Sequence, residues 1–342
     1  MRYSALLVVA ALFAGFTGST SFRAATAEPT SGDIERTVSA QIGPSFYRMV
    51  LPSVGRDGAF PEVDVSLGEV FQGGAVMVTV RQAQSGTVTA FGRNYALSPD
   101  GSGGLAGFVG FGTEDAPGPT TLRLQLVDQI GDNRLYTRDL VVKPTKWTVD
   151  SFTIPPPPPP PPSDPNAPPP PPPPPNENPL LPGIYAGLTS RLWVAGWSSP
   201  FAEPNLGPCN GGPPVNVACV SGFFGEERVI NGVPQAGHHG GTDFGAYAGT
   251  PVFATNAGTV VMSGLYQVRG NLVVVDHGGG VFSLYGHLQD RAVLVGEPVG
   301  KGQLLGHVGS TGFSTGPHLH WELSVGGVLV DGLRWLDGTQ GF

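Results

Sequence analysis

Basic charge is sparse in this chain. Its 18 Lys and Arg are outnumbered by 26 Asp and Glu, and they nowhere gather into a block. A nucleic-acid surface needs a basic face or stripe, so that partner class is excluded at the outset. The acidic balance itself selects no alternative partner. Long apolar runs are also lacking. Beyond the first residues, no stretch approaches the ~20 apolar residues of a membrane helix, so no span is expected in the mature chain. Cysteine is nearly absent: Cys209 and Cys219 stand alone, ten residues apart. Two thiolates are half a metal site, whereas in an exported chain they make one disulfide, bracing a loop of Gly, Pro and Asn.

Gly (52) and Pro (36) are abundant, which favours short strands, many turns and some non-globular chain. The start of the chain reads as an export signal over residues 1–27. Arg2 opens it, an apolar run follows from Leu6 to Phe16, and Ala25-Thr26-Ala27 has the small-x-small pattern of a cleavage site. The competing reading, an uncleaved anchor, needs a longer run. The expected location is therefore the periplasm, the cell envelope or the medium.

Residues 35–150 read as a β-sandwich-like domain. Alternation is plain in Ala75-Val76-Met77-Val78-Thr79-Val80 and in Thr121 to Val127, with shorter runs at Thr87 to Phe91 and Leu140 to Val142. This part holds neither histidine nor cysteine, which argues against a catalytic metal there. Residues 151–179 are a proline-rich linker, with unbroken proline over 155–162 and again over 168–175. Such a chain favours polyproline II, and at ~3.1 Å per residue the stretch 155–175 extends to about 65 Å. The expectation is a semi-rigid spacer that gives its flanks reach. Residues 180–342 are again strand-rich. Candidates are Thr250 to Ala254, Gly258 to Met262, Asn271 to Asp276, Val281 to Tyr285, Ala292 to Val295, Leu304 to Val308 and His318 to Val325. The chain is thus expected to be all-β, with a mainly antiparallel C-terminal domain.

All seven histidines lie between positions 238 and 320, a concentration that points to metal or acid–base chemistry. In His318-Leu319-His320-Trp321-Glu322-Leu323, a strand sends His318, His320 and Glu322 to one face and the apolar residues to the other. In His239-Gly240-Gly241-Thr242-Asp243, the glycines permit a tight bend that brings His239 and Asp243 together. With His320 they supply two imidazoles and a carboxylate, the chemistry of a catalytic zinc with an open position. Tyr285-Gly286-His287-Leu288 sets His287 at a strand end, where a base can sit opposite His318. His277 and His307 read as structural, and His238 is ambiguous beside His239.

These pieces occur in order with Phe224-Gly225-x-x-Arg228, Gly249-Thr250-Pro251-Val252, Asp276-His277-Gly278, Gly306-x-Val308-Gly309-x-Thr311-Gly312 and Thr315-Gly316-Pro317. Over residues 222–336, about a third of the chain, the sequence resembles the lysostaphin-like, LytM-type zinc peptidases of family M23. The resemblance implies one Zn2+ per chain on His239, Asp243 and His320, with His287 and His318 as catalytic histidines. It leaves open which of those two is the base. It also implies an endopeptidase acting on peptidoglycan cross-links or stem peptides, where relatives cut glycyl bonds or bonds involving D-alanine and a diamino acid. Some relatives have lost ligands and serve as peptidoglycan-binding or amidase-activating modules. That is the alternative, and retention of all five residues argues against it. One departure is Asp331-Gly332-Leu333, where relatives often carry proline after the aspartate.

Overall fold

The computed structural model describes residues 36–42, 45–51, 60–154, 172–209 and 218–337. The leader expected over 1–27, most of the proline segment, and the loop between the two cysteines lie outside the described residues. What is described is almost entirely β, with two short helices, Leu181–Tyr185 and Leu333–Leu336. The chain forms two compact units. Within Met1–Asp57, strands Arg36–Ile42 and Ser45–Leu51 make an antiparallel hairpin. Within Gly58–Phe342 lie two large sheets and a small one.

The first large sheet has eight strands, between Glu62 and Lys143. Period-2 alternation builds its core. Strand Ala75–Arg81 buries Val76, Val78 and Val80, and strand Gly118–Asp128 buries Leu122, Leu124 and Leu126. Each such side chain stabilises by ~1.5–3 kcal/mol relative to exposure.

The second sheet has eleven strands, and its centre is antiparallel. Strand Thr242–Gly245 pairs with His318–Val325, which pairs with Val281–Arg291, which pairs with Gly270–Gly278. Leu304–Val308 and His318–Val325 have the expected bounds. Two expectations are corrected. Ala292 to Val295 is not a strand: Glu297 donates back to the Leu294 carbonyl, Gly296 turns with φ +87°, and only Val293 of the apolar run is well buried. And the strand begun at Val281 runs on to Arg291, so His287 lies within it and not at its end.

The reach expected of the proline run does not separate its flanks. Phe108 of the first sheet stacks on Trp193 and Trp335, at 4.9 and 4.6 Å between ring centroids, and Trp197 meets Trp335 at 4.9 Å. Val325, Val328 and Val330 of the second sheet join the same buried cluster. The small sheet crosses the proline run as well. Strand Val149–Phe152 pairs with Glu227–Ile230, which pairs with Val233–His238, the strand leading into His239. Cys209 and Cys219 form the expected disulfide.

Candidate metal centre

Three neighbouring strands hold the cluster. In the pairing register Asp243 stands opposite His320, and His320 stands opposite Gly286 on its other side. His239 enters from the Gly240-Gly241 bend. That bend needs glycine, because a Cβ on Gly241 would lie 2.5 Å from the Trp321 carbonyl oxygen. As alternation requires, Leu319 and Trp321 are buried in the core behind the strand, while His318, His320 and Glu322 face the site.

His239, Asp243 and His320 are all buried, and each offers a ligand atom within 4.8 Å of the others, a set that could hold a metal ion. Asp243 Oδ1 lies 2.7 Å from His320 Nδ1 and 3.2 Å from His239 Nε2. His239 donates from Nδ1 to the Phe223 carbonyl at 2.8 Å, which fixes its tautomer and leaves Nε2 facing the cluster. Arg228 Nη2 sits 2.5 Å from Asp243 Oδ2 and orients that carboxylate. His320 Nε2 meets Glu322 Oε1 at 2.9 Å, the outer-shell partner that a metal-bound imidazole usually has. Two imidazoles and one carboxylate fit the donor set of catalytic zinc.

Burial works against charge on every member, and the neighbours outweigh it at Asp243 and His320 only. For Asp243 burial alone would raise the pKa, but His239 and His320 outweigh it and hold the carboxyl well below its usual range. His320 is opposed by burial too, and its bonds to Asp243 and Glu322 leave it raised. Burial lowers His239. Burial also drives His287 down to about 3, with help from the adjacent His318 and His320.

His287 and His318 form the second pair. His287 donates from Nδ1 to the Thr311 carbonyl and His318 from Nδ1 to the Gly316 carbonyl, each at 2.8 Å. Both therefore present Nε2, and that of His318 is 3.9 Å from Asp243 Oδ1. His287 adopts φ +59°, a left-handed conformation costly for a non-glycine residue. A cavity of about 210 Å³ opens over the cluster, lined among others by Arg228, His239, Arg269, His287, Phe313 and His320.

The remaining histidines stay outside the cluster. His277 is sealed between the Ala257 carbonyl and the Ser283 hydroxyl, and His307 pairs with Asp290. His238 stands 2.9 Å from Glu114 and packs on Trp147. Sequence reasoning placed Glu322 on the site face but missed the two arginines around the site. Arg228 was visible only as a motif letter. Arg269 carries no spacing signal of its own.

This is a β protein with a buried His/Asp/His cluster beneath a histidine-lined cleft. Residues 237–332 match the family model "Peptidase family M23". It is 41% identical over 115 residues to the peptidoglycan DD-endopeptidase ShyC of Vibrio cholerae, covering 34% of this chain and 27% of that protein. It is 44% identical over 93 residues to the DD-carboxypeptidase/endopeptidase Mpg of Neisseria meningitidis, covering 27% and 21%. Among solved structures, the catalytic domain of lysostaphin from Staphylococcus simulans is 35% identical with TM-score 0.31, covering 34% of this chain and 90% of that one. The chain thus spans about a quarter of the length of the curated relatives it matches. No helix among the described residues is long and apolar enough to cross a membrane.

Proposed function

We propose that the chain is a zinc-dependent endopeptidase that hydrolyses peptide bonds in bacterial peptidoglycan, with His239, Asp243 and His320 as the zinc ligands. The observation that carries this reading is the convergence of those three residues at the floor of a cleft facing the His287–His318 pair. The relatives named for peptidoglycan endopeptidase activity supply the substrate class. The leader-like start and the disulfide support an exported location.

Zinc held there supplies Lewis acidity to the scissile carbonyl and brings the pKa of a bound water toward ~7. The side chains do the rest. His287 is neutral at working pH, and its Nδ1 is committed to Thr311, so Nε2 is free to accept the proton of the attacking water. His287, protonated in that step, returns the proton from Nε2 to the leaving amine, and His318, with Nδ1–H held by the Gly316 carbonyl, donates to the developing oxyanion when its Nε2 is protonated. Arg228 keeps Asp243 turned toward the ligand cluster.

The test is mass spectrometry of the soluble products after incubation with purified peptidoglycans, with and without a zinc chelator, beside H320A. New stem or cross-bridge peptides that vanish in both controls are expected, and they would name the bond. A folded, zinc-loaded protein that releases no peptide from any peptidoglycan would sink the reading.

A further inference from the structure

The segment just after the proline run lies outside the family match, yet it is wired into the metal centre. Pro175 accepts a hydrogen bond from the backbone of Gln267 at 3.0 Å. Glu177 is fully buried, and its carboxylate accepts from the backbone N–H of Val268 at 3.2 Å and of Arg269 at 2.6 Å. It also stands 3.5 Å from the Arg269 guanidinium, whose Nη1 donates to Asn178 at 2.7 Å.

Arg269 is the hub. Its carbonyl accepts from the backbone N–H of His287 at 2.7 Å, and its Nε donates to Glu322 Oε1 at 2.8 Å. The same Oε1 meets His320 Nε2, and the other oxygen, Oε2, accepts from the hydroxyl of Tyr185 at 3.0 Å. Both oxygens of Glu322 are therefore fixed by groups other than His320.

We propose that residues 175–185 are a strap that positions the metal centre: Glu177 fixes Arg269, and Arg269 with Tyr185 fixes Glu322, the carboxylate that orients His320. A carboxylate accepting from Nε2–H holds the tautomer in which Nδ1 faces Asp243 and His239. Without the strap, Glu322 would be a buried carboxylate with an incomplete set of donors, free to leave the imidazole. A carboxylate bonded directly to a ligating imidazole, as Glu322 is, is typically worth ~10–100-fold in metal affinity or activity, and the strap acts through it. Glu177 and Tyr185 are positioning residues and touch no substrate.

The inference rests on the zinc assignment above, and its test keeps the two apart. Full-length wild type, Y185F and E177Q would be stripped of metal, checked for folding by circular dichroism and thermal melting, and titrated with Zn2+ against a competing chelator. The visible spectra of their Co2+ forms would be recorded alongside. The expected result is folded protein, zinc binding weakened in each variant by up to the ~10–100-fold that loss of Glu322 itself would cost, and altered Co2+ ligand-field bands. Wild-type affinity and an unchanged Co2+ spectrum in a folded variant would overturn the strap. If E177Q does not fold, Y185F, which removes one hydroxyl only, decides. A wild type that binds no Zn2+ overturns the zinc assignment and the strap with it.

Discussion

His287 and His318 pack against each other with ring centroids 4.6 Å apart and planes tilted by 48°. Each is anchored through Nδ1 to a backbone carbonyl, so neither depends on the other, or on a metal, for its orientation. Replacing one should leave the ligand cluster intact. H287A and H318A are expected to keep stoichiometric zinc and to lose ~10²–10⁴-fold in kcat/KM, the usual worth of a positioned acid or base. Metal content by atomic absorption, read beside kinetics on a soluble peptide substrate, checks this. A zinc-free H318A would show instead that His318 is a ligand.

Much of this site was legible because strand geometry is simple. A period of two places His318, His320 and Glu322 together from sequence alone, and glycines 240 and 241 announce a bend that their surroundings do require. The outer shell was not legible. Tyr185 reaches Glu322 across 137 positions and Glu177 reaches Arg269 across 92, and no periodicity encodes a contact at that separation. Ala292 to Val295 failed for the opposite reason. Its local apolarity suits a strand, but Leu294 and Val295 are 76% and 61% exposed, and the turn at Gly296 decides the backbone. Proline composition carries no signal of the aromatic contacts between the sheets on its two sides.

Metal removal offers a sharper test of the ligand set. Chelation should abolish hydrolysis in the wild type, and added Zn2+ should restore it. H239A, D243N and H320A should remain inactive after the same addition, because two remaining donors do not make the site. Calorimetric titration of the stripped proteins with Zn2+ gives the comparison. Wild-type affinity in D243N would remove the aspartate from the set.

The interface around Phe108 bears on whether the accessory sheet is a passive appendage. Phe108 is 2% exposed and stacks on both Trp193 and Trp335. F108A should cost ~3–5 kcal/mol by loss of buried area and creation of a cavity. Because the ring bridges both sheets, it should lower a single unfolding transition. Calorimetry is the measurement. Two separated transitions in the wild type, with only the first shifted in F108A, would mean that the sheets unfold independently.

His277 gives a pH dependence unconnected with the metal. Burial lowers its pKa from the ordinary 6.5 to about 4. Between those values the unfolded chain binds a proton that the folded chain does not, so stability rises with pH through this window. The contribution is complete above pH ~6.5, is lost progressively as pH falls toward ~4, and amounts to about 3 kcal/mol. Urea unfolding of the metal-stripped protein at pH 7.5, 5.5 and 4.5 should show that decline. H277N can still donate to the Ala257 carbonyl, but it has no imidazole to titrate. It should therefore be less stable at pH 7.5 through lost packing, and its stability should fall less steeply across the window. Equal slopes in the two proteins would show that the buried imidazole contributes nothing to the acid sensitivity of the fold.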